Sequence, residues 1–97
     1  MGKIVSLKVG SKTDVNSLKT SIVGNIKAGD TVIVNTIGVG ANYVAIKAII
    51  MARGQLNSCG CSLFADPSFH DYEIDTPITS SIKTGIRWVL KLSKTPQ

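Results

Sequence analysis

The segment that most restricts this chain is a stretch dense in β-branched side chains over residues 31–37, followed by Gly38-Val39-Gly40 and then thirteen residues, 41–53, whose only internal charge is Lys47. β-branched residues without strict alternation predict an interior strand, and the glycines end it. Residues 41–53 predict a helix with Gly54 as its stop. Ala41, Ala45, Ala48 and Ala52 form one narrow stripe on that helix, while Tyr43, Ile46, Ile50 and Met51 surround Lys47. A helix apolar all round has to be covered twice. One side should therefore meet a sheet and the other a neighbouring helix or a second subunit. Tyr43, Ile46, Lys47 and Ile50 become the expected interface of a homodimer or higher homo-oligomer.

The flanking sequence supplies the rest of the sheet. Val5, Leu7 and Val9 alternate with Ser6 and Lys8 and predict a strand over residues 4–9. Asp14 can cap a helix in which Val15, Leu18, Ile22 and Ile26 recur at helical spacing before Gly29. Beyond a loop over 54–60, residues 61–65 and 69–74 read as strand pieces interrupted by a bulge or edge at Pro67. After a turn over 75–80, Ile82, Thr84, Ile86, Trp88, Leu90 and Leu92 alternate with Lys83, Gly85, Arg87, Val89 and Lys91, and residues 93–97 form a tail. Trp88 and Phe64 sit in apolar patterns and are expected in the core. The fold class is thus α/β (α+β), β-α-β-α-β-β. It implies a mixed four-stranded sheet with two helices on one face and a final antiparallel hairpin.

With 97 residues the chain is expected to form one domain spanning residues 1–97, with its core over about 4–92. No apolar run reaches the roughly 20 residues that span a bilayer, so no membrane association and a cytoplasmic location are expected. Cys59 and Cys61 are too close for an ordinary disulfide and have no companion ligands, so neither a disulfide nor a metal is expected. Ser68, His70 and Asp71 are residue types of a hydrolase triad, but strand neighbours point to alternate faces. With no paired carboxylates or activated nucleophile either, an enzyme is not expected, nor is a cofactor.

The net charge of +5 is regional: residues 1–54 hold seven Lys or Arg and two Asp, whereas residues 55–97 hold four of each sign. Such asymmetry is compatible with an anionic partner and equally with solvated lysines. Lys8 and Lys12 bracket the first loop, and Lys19 lies on the helix after it. Lys83, Arg87 and Lys91 share one face of the last strand, successive charges ~13 Å apart. Either group can follow a phosphate backbone or keep a surface wet. Gly38 and Gly40, with the donors of Gly40 and Ala41, can present N–H groups to a phosphate, although a tight strand-to-helix turn explains both glycines without a ligand. Asp66, Asp71, Glu73 and Asp75 make the hairpin acidic and unfavourable to nucleic acid.

At Lys8-Val9-Gly10-Ser11-Lys12, Asn16-Ser17, Ile37-Gly38-Val39-Gly40-Ala41, Ala45-Ile46-Lys47-Ala48, Ala52-Arg53-Gly54 and Pro67-Ser68-Phe69, the chain resembles the stage V sporulation protein S family. The resemblance runs from about Ile4 to Leu92 and is most specific from the glycine turn to Ala52-Arg53-Gly54. That bacterial family is similar in fold to the Alba nucleic-acid-binding proteins, whose dimers place a lysine-bearing first loop and a β-hairpin against the duplex. The resemblance implies a non-enzymatic, dimeric regulator of sporulation or a related developmental process, with weak, salt-sensitive binding of DNA or RNA. By position, Ser11 and Lys12 match the loop of the Alba lysines, and Gly38-Val39-Gly40 matches a Gly-Arg-Gly turn, with Val39 in the place of its arginine. A protein-interaction or assembly module that binds a protein partner and no nucleic acid is the other reading.

Overall fold

A computed structural model describes residues 2–93. Its elements run β1 (Ile4–Val9), α1 (Val15–Lys27), β2 (Thr31–Thr36), α2 (Val39–Ser58), β3 (Ser62–Asp75) and β4 (Ser80–Ser93), which is the expected β-α-β-α-β-β order. The sheet order is β1-β2-β4-β3, with β1 parallel to β2 and the other two pairings antiparallel.

Local chemistry accounts for most boundaries. Asp14 caps α1 by accepting from the Ser17 N–H at 3.0 Å and its hydroxyl at 2.7 Å. The helix ends before Gly29, whose φ of +88° is open to glycine at little cost. β2 is interior in the sheet, yet only Val32, Val34 and Thr36 are buried, against the helices, and Ile33 and Asn35 on the other face stay half-exposed. The core joins Leu18, Ile22, Val23 and Ile26 of α1 to Val44, Ala45, Ala48, Ile49, Ala52 and Leu56 of α2 over Val9, Val32, Val34 and Leu90. Buried Thr36 donates its hydroxyl to the Ile86 carbonyl at 3.1 Å, so no polar atom is stranded there.

Several expectations need correction. α2 does not stop at Gly54 but continues to Ser58, because Leu56 extends the buried stripe by one more turn. The stop is Gly60, at φ +80°, where Cys61 N–H bonds back to the Leu56 carbonyl at 2.9 Å. β3 is not interrupted: its register with β4 is continuous from Ser62↔Ser93 to Asp75↔Ser80, and Pro67 pairs with Trp88 without a bulge. An edge strand tolerates proline, since it has a neighbour on one side only. Phe64 is exposed on the open face with the Lys91 ammonium 5.1 Å above its ring, because register gives the inward positions to Leu63 and Ala65. Trp88 does pack against the core, and its Nε1 donates to Asn42 Oδ1 at 3.0 Å. Ser93 belongs to β4, and residues 94–97 of the expected tail lie outside the described residues.

β2 pairs with β4 only from Thr36↔Ile86 to Val32↔Leu90, so the turn-proximal ends of β3 and β4 project beyond the sheet as a two-stranded arm. The arm gives the molecule a long axis of 54 Å against 24 and 18 Å.

Candidate nucleic-acid interface

The first loop is a closed turn. Thr13 N–H donates to the Gly10 carbonyl at 3.2 Å, and Gly10 N–H to Thr13 Oγ1 at 2.9 Å. Ser11 and Lys12 are left exposed at its tip. This tip rests on the start of α2, where a Cβ on Gly40 would fall 2.9 Å from Ser11 Cβ. Gly40 is therefore a point of close approach, which its position at a strand-to-helix turn alone did not reveal.

Gly38 is the N-cap of α2, at φ +93°, and no side chain caps the helix. The first N–H groups of a helix lack intrahelical acceptors and carry partial positive charge, so the loop tip of Ser11 and Lys12 adjoins, through Ser11, a helix start already favourable to an anion. Ser11 thus meets Gly40 directly, with Lys12 next to Ser11 in the loop and Gly38 and the buried Ala41 on either side of Gly40 at the start of α2.

The other expected cations lie elsewhere. Lys19 donates to Gln55 Oε1 at 3.1 Å, and Gln55 is about 22 Å along α2 from Gly40 at 1.5 Å per residue, so Lys19 is separate from the loop group. Lys8, Lys83 and Arg87 share the sheet face away from the helices, where Lys8↔Asn35 and Asn35↔Arg87 form one row across three strands. Arg87 is held in place: its Nε donates to Asn35 Oδ1 at 3.4 Å, and NH2 lies 3.0 Å from His70 Nε2. Among the described residues, nothing engages the ammonium groups of Lys8, Lys12 or Lys83.

The structure also ties together residues that sequence reasoning missed. Asn35 Nδ2 donates to Ser6 Oγ at 3.0 Å and to the Leu7 carbonyl at 3.3 Å, while its Oδ1 accepts from the Tyr72 hydroxyl at 2.7 Å. Gly85 makes this reach feasible, since a Cβ there would lie 2.8 Å from Tyr72 Cε2. A glycine inside β4 was the available signal, because strand glycines often mark close approach.

The family model for Stage V sporulation protein S (SpoVS) matches residues 5–89. The chain belongs to the stage V sporulation protein S family. Among solved structures it is similar to Alba from Thermoplasma volcanium, with a TM-score of 0.68 and 14% identity over 89% of this chain and 98% of that one. The fold of this SpoVS family member is therefore Alba-like. Among the described residues, no helix is long and apolar enough to cross a membrane, and no cluster of His, Cys, Asp or Glu could hold a metal ion.

On α2 the outward face carries Tyr43, Lys47 and Ile50, with Ile46 half-buried beside them. Tyr43 and Ile50 are each 61% exposed, and the Lys47 ammonium sits 5.3 Å from the Tyr43 ring centroid. α1 and the sheet cover the buried faces of this helix, and these outward residues lie outside both contacts.

Proposed function

We propose that this SpoVS family member is a small, non-enzymatic, cytoplasmic regulatory protein that binds nucleic-acid phosphates as a homodimer, in sporulation or a related developmental process. The observation that carries the reading is the contact of Ser11 in the first loop with Gly40, which joins the loop that carries Lys12 to the uncapped start of α2. Ser11, Gly38, Gly40 and Ala41 supply neutral donors, and Lys12 supplies charge. Lys8, Lys83 and Arg87 offer a second set of phosphate contacts on the open sheet face, whereas Lys19 contributes at the far end of α2 only. The Alba-like fold supports the same reading, since Alba relatives present a first-loop lysine and a hairpin to the duplex. Tyr43, Ile46, Lys47 and Ile50 form the interface between two copies.

Binding should be weak and salt-sensitive, with each phosphate contact contributing about 0.9 to the log-log salt slope on duplex DNA. Lys12→Ala is expected to lower that slope by about one. An unchanged slope, or no binding of DNA or RNA at about 50 mM salt, overturns the reading.

A second reading is favoured by the exposed apolar residues, with Phe69 at 82% at the root of the arm, Ile82 at 72% on it, and Tyr43 and Ile50 on α2. It is an assembly module that docks a protein partner and no nucleic acid. Partners retained after nuclease treatment and indifferent to Lys12→Ala would select it.

A further inference from the structure

Between β1 and the root of the arm lies a cleft of about 560 Å³, lined in part by Ser6, Lys8, Asn35, Ile37, Tyr72 and Ile74. Sites for small ligands span about 300–1,000 Å³ and combine apolar walls with a few placed polar groups. This cleft has that composition. The Tyr72 ring is fixed by three contacts: its Cε2 closes on the bare backbone at Gly85, its hydroxyl donates to Asn35 at 2.7 Å, and the His70 ring packs against it in a T-shaped arrangement at 4.7 Å between centroids. Ile37 and Ile74 complete the apolar lining.

The polar groups divide into those already engaged and those open to a ligand. Asn35 is engaged through both its amide nitrogen and its oxygen and acts as a scaffold. Ser6 Oγ accepts from Asn35, which leaves its own proton to donate. The Lys8 ammonium has no partner among the described residues, and the one carboxylate that lines the cleft, Glu73 on β3, disfavours an anion beside it, so a phosphate belongs at the β1 side with Lys8 and Ser6. An immobilised aromatic ring with aliphatic neighbours suits a planar ring, and a free hydroxyl and ammonium suit an anion attached to it.

We propose that this cleft binds one unpaired nucleotide, its base stacked on Tyr72 among Ile37 and Ile74 and its phosphate held by Lys8 and Ser6. The site shares Lys8 with the second set of phosphate contacts but uses neither Lys12 nor the start of α2, so Ile74→Trp, which leaves Lys8 in place, separates its failure from failure of the duplex-phosphate reading. A free mononucleotide and an unpaired nucleotide within a strand share this chemistry.

The test is an NMR titration of the ¹⁵N-labelled protein with AMP, adenosine, inorganic phosphate and a short single-stranded oligonucleotide. AMP is expected to produce saturable shifts at Ser6, Asn35, Ile37, Tyr72 and Ile74, and adenosine to bind roughly fivefold more weakly, on the scale of an exposed ion pair. Lys8→Ala should reduce AMP to the level of adenosine. Ile74→Trp, which fills the cleft from a half-exposed position, should abolish both while leaving the remaining spectrum and Lys12-dependent duplex binding intact. Saturation by AMP alone identifies a free nucleotide as the ligand, and saturation by the oligonucleotide as well identifies a strand; either supports the site. Absence of shifts at about 10 mM AMP, where a site of about 1 mM affinity is nearly full, overturns it. Shifts reproduced by inorganic phosphate alone, or AMP binding untouched by Ile74→Trp, overturn it equally.

Discussion

Gly85→Ala tests how the arm is joined to the sheet. Gly85 is buried in β4, opposite His70, and the added methyl would run into the Thr36 carbonyl oxygen, with Tyr72 Cε2 at 2.8 Å and Ile37 Cγ1 at 3.1 Å. The two side chains can swing aside, but a backbone carbonyl in a paired strand cannot. β4 must therefore lift from β2 at the Thr36↔Ile86 end, straining or breaking the bond from the Thr36 hydroxyl to Ile86. Overpacking costs about 1–3 kcal/mol and the hydrogen bond about 1 kcal/mol. The lower freedom of alanine in the unfolded chain offsets about 0.4–1 kcal/mol, leaving a net loss of about 1–3.5 kcal/mol. For a domain of this size that lowers Tm by about 4–28 °C. Urea denaturation followed by far-ultraviolet circular dichroism and Trp88 fluorescence measures it. Combining the change with Tyr72→Ala should restore little, because the carbonyl is the main obstacle. A Gly85→Ala protein within about 0.5 kcal/mol of the parent would refute the reasoning, and full rescue by Tyr72→Ala would transfer the obstacle to the ring.

Three further outcomes are expected. Gly54→Ala should stabilise the protein by about 0.5–1 kcal/mol in urea denaturation, because Gly54 is inside α2 with nothing within 4 Å of a new Cβ; destabilisation would mean that the helix ends there after all. The Asp14 carboxyl titrates below its ordinary value, chiefly because the Ser17 hydroxyl and then the Ser17 N–H donate to it. Since its pKa is depressed in the folded state, its contribution is present above the unfolded value and disappears as pH falls through the folded one, so Asp14→Ala should flatten the acid side of a Tm-against-pH profile. Ile50→Glu should convert the proposed dimer to a folded monomer in sedimentation velocity at micromolar concentration, and an unchanged sedimentation coefficient would remove that face from the interface.

What could be read from sequence was what local chemistry determines. The alternation of Val5, Leu7 and Val9 and the cap at Asp14 placed β1 and α1 because neither depends on distant residues. Gly54 misled because glycine is the commonest helix stop, and a buried Leu56 beyond it outweighs that preference. Pro67 predicts a bulge or an edge, and β3 is indeed an edge strand; only the interruption expected there fails, because on an edge the missing N–H need not break the ladder. The Ser11 contact with Gly40 joins positions 29 residues apart and was foreshadowed only by the family resemblance of both segments. The links of Asn35 to Ser6, Tyr72 and Arg87 depend on register across the whole sheet, which no pattern within a single segment specifies.

That same register separates the charges of the arm. Asp71, Glu73 and Asp75 pair with Thr84, Ile82 and Ser80, all on the face continuous with the helix side, whereas Lys83, Arg87 and Lys91 alternate onto the open face. Two of the three carboxylates are already engaged, Asp71 by Thr84 and Asp75 by Ser80, each at 2.7 Å. The acidity that makes the hairpin look hostile to a polyanion therefore belongs largely to one side, while Asp66 alternates onto the other and Glu73 also borders the Tyr72 cleft. An anion approaching the open face meets Lys8, Lys83 and an Arg87 already oriented by Asn35 and His70. A second copy meeting the exposed side of α2 encounters Tyr43 and Ile50. Dimerisation and anion binding on the open face thus call on different surfaces, and Ile50→Glu should leave mononucleotide binding in the Tyr72 cleft unchanged even where it abolishes the dimer.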